Sequence, residues 1–174
     1  MIKLIALVFL FLAGCTHRQV QNRPVASTTL FPNGNYQQDV VVHVLTKGHE
    51  KDFDFSALVQ KNPESFHLVG YNSFGISLFK IKEENGKITI ESSISEINNK
   101  KEFFLKVFSL VKTINNVPKD DPRIKNDSLK VEFQSTVTNI HFQNFDSAGV
   151  PLKIQIEAAD LMQISVVTTK YEFK

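Results

Sequence analysis

The stretch Phe103-Phe104-Leu105-Lys106-Val107-Phe108-Ser109-Leu110-Val111-Lys112-Thr113-Ile114 repeats its apolar residues three and four apart. That is the period of an α-helix. Phe104, Val107, Phe108 and Val111 share one face, because these spacings stack on successive turns. Lys100, Lys101, Lys106 and Lys112 frame the polar side. Val117-Pro118 and Asp121-Pro122 then end the helix, since the residue before a proline is pushed out of the helical region. The segments on either side alternate with period two. The chain therefore reads as mainly β, with one apolar helix set into the run of strands.

The strands are legible in the same way. Val40-Val41-Val42-His43-Val44-Leu45 is β-branched, and Asp52-Phe53-Asp54-Phe55-Ser56 places both Phe on one face. Phe66 to Tyr71 follows, broken by Asn72-Ser73-Phe74-Gly75, and Ile76 to Lys82 resumes. Glu84-Asn85-Gly86-Lys87 is a hairpin turn leading into Ile88-Thr89-Ile90-Glu91-Ser92-Ser93-Ile94, which alternates again. After the helix, Leu129 to Phe142 is β, but its apolar phase slips between Phe133 and Ile140, which predicts a bulge or bend. Leu152-Lys153-Ile154-Gln155-Ile156-Glu157 alternates strictly, and Met162 to Tyr171 is the last strand. Short turns between consecutive strands predict an antiparallel meander.

The opposite pattern stands at the start. Leu4 to Gly14 carries no polar side chain, and Lys3 is the one charge before it. Eleven helical residues rise about 16 Å. A bilayer core is about 30 Å thick, so the segment is too short to span it and fits a secretory signal instead. Leu12-Ala13-Gly14-Cys15 resembles a bacterial lipobox. The resemblance implies cleavage before Cys15 and acylation of its sulfur and new amino group, and two or more acyl chains anchor a protein stably. Thr16, where an Asp would retain the protein in the inner membrane, implies delivery to the outer membrane. Cys15 is the sole cysteine, so no intramolecular disulfide can form. Residues 1–14 are read as the signal peptide and residues 15–35 as the lipidated cysteine and a polar tether, first touching the domain near Leu30-Phe31-Pro32. Residues 36–174 are read as one domain.

Composition narrows the function. Removing Lys3 leaves 19 basic against 18 acidic residues, a balance that argues against a nucleic-acid partner. Fifteen Phe and no Trp make up most of the aromatic set. There is no Gly-x-Ser-x-Gly, glycine-rich phosphate loop or His-Glu-x-x-His. His43 and His67 could meet across paired strands, but a strand histidine is more often a solvated or hydrogen-bonded side chain than a ligand. Neither a metal nor a cofactor is expected, and an enzyme hypothesis has no residue to attach to.

A long antiparallel sheet coils and must bury its apolar face. Curling without closing makes the concave side a groove, walled by Ile88, Ile90, Leu152, Ile154 and Ile156 and covered by a lid presenting Phe104, Val107, Phe108 and Val111. The plain alternative is a helix-on-sheet core with no cavity. Leu68 to Phe79, Asn85-Gly86-Lys87-Ile88, the helical stretch, Ile140-His141-Phe142 and Pro151 to Ile156 resemble an uncharacterised bacterial lipoprotein family. That family is related in fold to LolA and LolB and often occurs beside aryl-polyene biosynthesis genes. The resemblance implies an unclosed β-barrel with a helical lid and an interior suited to acyl chains. The chain departs from it in having no Trp-Pro after the helix, and no equivalent is placed here for the apolar loop side chain that LolB inserts into the membrane. The expectation is an outer-membrane lipoprotein, its domain facing the periplasm, that binds or passes on a hydrophobic or acyl-chain ligand without chemistry. The alternative is an adaptor that binds a periplasmic protein through an open sheet edge.

Overall fold

A computed structural model describes residues 27–46, 49–99, 101–133, 135–158 and 162–173. Nine strands form one antiparallel sheet: β1 (Gly34–Thr46), β2 (His49–Asn62), β3 (Ser65–Tyr71), β4 (Ser77–Glu84), β5 (Lys87–Ser92), β6 (Ser128–Phe133), β7 (Thr136–Phe145), β8 (Pro151–Ala158) and β9 (Met162–Phe173). Their spatial order is β5-β4-β3-β2-β1-β9-β8-β7-β6. Two meanders are thus joined where β1 pairs with β9, and the outermost strands, β5 and β6, do not pair with each other. The sheet is curved and unclosed. The chain between its free edges carries a short helix α1 (Ser95–Asn99) and the main helix α2 (Lys101–Asn115).

Alternation assigns the faces. On β1, Tyr36, Gln38 and Val40 are buried while Gln37, Asp39 and Val41 are exposed. Pairing carries this phase outward to Val59 and Ala57 on β2, Leu68 on β3 and Ile81 on β4. In the other direction it reaches Val166 on β9, Ile154 and Ile156 on β8, Ile140 on β7 and Leu129 on β6. These residues make up the inner, concave face and belong to one apolar core with α2. Gly70 is needed on this face, because a Cβ there would come within 2.4 Å of the Phe79 ring lying across β3.

Three expectations change. The slip between Phe133 and Ile140 is a hairpin turn: β6 ends at Phe133, β7 begins at Thr136, and Ser135 adopts a positive φ of 61°. A turn resets the alternation as fully as a bulge does. Residues 27–35, read from sequence as the end of the tether, pack into the fold. Phe31 and Leu30 are buried, Leu30 N donates to Val117 O at 2.9 Å, and β1 starts at Gly34. The strand expected from Ile88 ends at Ser92, where the Ser92 hydroxyl accepts from Ile94 N at 3.0 Å and leads into α1. The Asn85-Gly86 hairpin is as expected, with φ of 52° and 74°. The signal segment, Cys15 and the rest of the tether lie outside the described residues.

One end of the half-barrel is closed by a buried lysine. Lys61 is 5% exposed, and its ammonium donates to Asn115 O at 2.7 Å, Phe31 O at 2.8 Å and Thr29 Oγ1 at 3.1 Å. Each of its three protons has an acceptor, which is what makes a buried charge tolerable. Burial still pushes its pKa down from 10.5 to about 8. Beside it, Tyr36 stacks edge-on against Phe31 and donates to Pro32 O at 2.6 Å, and Tyr171 donates to the Asp146 carboxylate. The unfolded chain holds the Lys61 proton up to about pH 10.5 and the folded chain only to about 8, so the charged form opposes folding below pH 8. Stability should therefore rise between pH 8 and 10. The tyrosines, whose pKa values burial and Asp146 raise, act in the opposite direction only above their usual 10.0. Lys61→Met should cost about 1–3 kcal/mol at pH 7, since it strands buried acceptors, and should remove that rise. Urea titrations of both proteins across this range check it; parallel pH profiles would overturn it.

Candidate functional site

The concave face is not covered evenly. One row runs Leu129–Ile140–Ile156–Ile164–Val42–Phe53 across β6, β7, β8, β9, β1 and β2, each residue directly opposite the next. Leu129, Ile140 and Ile156 are buried, Ile164 and Val42 are half-buried, and Phe53 is 52% exposed. The same gradient runs along β2, where Lys61, Val59 and Ala57 are buried, Phe55 is half-buried and Phe53 is exposed. The interior is dry at the Lys61 end and opens at the Phe53 end.

Helix α2 explains the gradient. Its C-terminal turn is tied to the closed end through Asn115 O, and Lys112 Nζ meets Glu83 Oε1 at 2.6 Å. Phe108 is 0% exposed and packs edge-on against Phe66 at 5.5 Å. Nearer the mouth, Phe104 approaches Phe79 at 6.3 Å, and Phe79 meets Phe55 at 5.6 Å. This aromatic chain ends before Phe53, which has no ring partner among the described residues.

The expected lid residues lie on the packed side of α2. Phe108 is buried, and Phe104, Val107 and Val111 are half-buried against the core. Leu110 and Ile114 are buried as well, so the helix packs over a wider arc than those four residues. Of the five expected wall residues, Ile154 and Ile156 belong to the apolar core and Ile90 packs against it. Ile88 and Ile90 stand on edge strand β5, and Leu152, Ile154 and Ile156 stand on β8, with β4, β3, β2, β1 and β9 between them. Ile154 and Ile156 are buried, Ile90 and Leu152 half-buried, and Ile88 exposed. The least covered strip is instead Phe53 with the half-buried Val42 and Ile164 beside it. The Asp52 to Ser56 alternation placed Phe53 and Phe55 on one face, but which of the two stays uncovered depends on where the helix stops.

Sequence reasoning also missed Phe74. It is 87% exposed in the loop between β3 and β4, followed by Ile76 at 61%. The loop is held firmly: Asn72 Oδ1 accepts from Phe74 N at 3.0 Å and Ile76 N at 2.9 Å, and Asn72 N donates to Ile76 O at 3.0 Å. Its signal was the Asn72-Ser73-Phe74-Gly75 break, which marked the turn without marking its apolar tip. Because β3 runs away from the Lys61 end, this loop stands at the mouth end of the sheet.

Chemistry-bearing groups elsewhere do not converge. His43 pairs with Asp52 at 2.7 Å and His67 with Glu84 at 3.0 Å, on β1 and β3 with β2 between, so the two histidines do not meet. Ser128 Oγ and His141 Nδ1 lie 2.8 Å apart on the convex face, where Ser128 also donates to Asn126 O and, among the described residues, no carboxylate hydrogen-bonds the imidazole. Among the described residues no cluster of His, Cys, Asp and Glu could hold a metal, and no helix is long and apolar enough to cross a membrane.

No family model matches this chain, and no curated protein matches its sequence. Among solved structures it is similar to a LolA superfamily protein from Nitrosomonas europaea, with a TM-score of 0.47 and 10% identity, over 83% of this chain and 88% of that one.

Proposed function

We propose that this protein is an outer-membrane lipoprotein whose half-barrel holds an acyl chain, or a hydrophobic molecule of similar shape, on its concave face and gives it up by exchange. The observation that carries the reading is the uncovered apolar row of Phe53, Val42 and Ile164, continuous with the buried Ile156. Water on an inner-facing Phe is unfavourable, and a guest chain displacing it gains about 0.8 kcal/mol per buried methylene. The guest enters beside Phe104, at the end of α2 that Lys61 does not hold, and no bond is made or broken. Phe74 and Ile76, presented rigidly at the same end, dip into the bilayer during transfer. Acylation of Cys15 keeps the domain near that bilayer. A second reading, an adaptor for a periplasmic protein, rests on β5, whose outer edge ends the sheet.

Binding of a fluorescent fatty acid alongside thermal unfolding tests the central idea. Phe53→Asp should leave the melting temperature nearly unchanged, because the side chain is already half in water, and should weaken binding at least tenfold. Phe108→Asp should unfold the domain, since the charge has no route to water. Wild-type protein that binds no fatty acid would point to the adaptor. For the loop, Phe74→Ser should keep full stability and lose most of its sedimentation with anionic vesicles; unchanged sedimentation counts against membrane contact. Finally, Cys15→Ser should abolish incorporation of a clickable fatty acid in cells, and label retained by the variant would sink the anchor.

A further inference from the structure

At the closed end, away from the mouth, the β2–β3 turn, the β4–β5 turn and the last turn of α2 surround a cleft of about 450 Å³. Its lining includes Glu64, Ser65, Glu83, Asn85, Lys112 and Asn116. Glu83 projects from the concave face, with its side chain only 15% exposed. Its Oε1 accepts from Lys112 Nζ at 2.6 Å, whereas its Oε2 is buried and has no hydrogen-bond partner among the described residues. A buried carboxylate oxygen without a donor is costly and rare in native folds. Lys61, which also lines the cleft, cannot supply the donor, because its three protons go to Thr29, Phe31 and Asn115.

The charges select the ligand. Lys112 balances Glu83, and Lys61 is offset by Glu64, which also lines the cleft. A cationic ligand would meet two ammonium groups, and an anionic one two carboxylates. A neutral hydroxyl meets neither objection, since on displacing the partly exposed Lys112 side chain it can donate to the Glu83 carboxylate and accept from the ammonium. Adjacent hydroxyls on a sugar ring repeat this donor–acceptor pairing, and the Asn85 side chain, which also lines the cleft, offers an amide to the next one. We propose that the cleft binds a neutral, hydroxyl-rich ligand of the saccharide class, gripped between Glu83 and Lys112.

The test titrates the full-length protein with maltose and N-acetylglucosamine as neutral probes, and with ethanolamine and inorganic phosphate as charged ones. Calorimetry and amide NMR shifts follow the titrations. At least one sugar should saturate, shifting the Gly86 and Asn116 amides, while ethanolamine and phosphate should not. Glu83→Gln and Lys112→Met should each weaken sugar binding about tenfold or more. Phe53→Asp should leave it unchanged, which separates this site from the acyl-chain reading. If Glu83→Gln fails to fold, the wild-type shift map decides: shifts confined to other parts of the protein overturn the proposal. So does saturation by a charged probe alone, or by neither sugar.

Discussion

The Lys61 ammonium holds together three pieces of chain that are distant in sequence. Thr29 and Phe31 belong to the strap preceding β1, Asn115 ends α2, and Lys61 itself stands on β2. A charge at this depth is stable only while all its protons are matched, so the strap and the helix end have little freedom to move apart. The rest of the interior is organised around that fixed point. The strap brings Phe31 onto Tyr36, the tyrosines fill the end of the barrel, and the helix is pinned at one end and aligned along the concave face.

A helix pinned at one end covers a curved sheet unequally. Near the Lys61 end, Phe108, Leu110 and Ile114 reach the sheet and exclude water. Towards Phe104 the contact thins, and the row through Val42 and Phe53 is left wet. The apolar interior and its opening are thus consequences of one arrangement. Moving the helix is cheapest at its N-terminal end, where half-buried side chains have least contact to lose, and that is where the uncovered strip lies. Phe74 and Ile76 stand at this end too, so the greasiest exposed surface and the accessible part of the interior face the same way.

The elements legible in the sequence were those set by local periodicity. Strict alternation located β8, the Asn85-Gly86 pair located its hairpin, and three-and-four spacing located α2. Fold class followed, because alternating strands around one apolar helix leave few ways to bury both. What escaped depended on contacts between distant segments. Leu30-Phe31-Pro32 was legible as a point of contact with the domain, but not its partners Val117 and Lys61. Lys61 itself reads as an ordinary lysine near a strand end. The groove wall was expected on β5 and β8 from alternation alone, which reports the face of a residue and not which strand lies beside which. Phe53 was placed on a strand face and Phe74 in a break between strands; only the placement of the helix and the build of the loop leave them exposed.

The unpaired gap between β5 and β6 has a mechanical meaning. In a closed barrel the girth is a constant, fixed by hydrogen bonds that run all the way round. Here no ladder crosses the gap, so the two meanders can flex about the β1–β9 seam without breaking a single strand pairing. Packing against α2, the Lys61 hydrogen bonds and the Lys112–Glu83 pair are what resist. The girth of the interior is therefore elastic, most of all at the Phe53 end, away from the Lys61 contacts. Such an interior has a fixed depth and an adjustable width. Widening it is resisted by degree, each increment costing the packing it displaces.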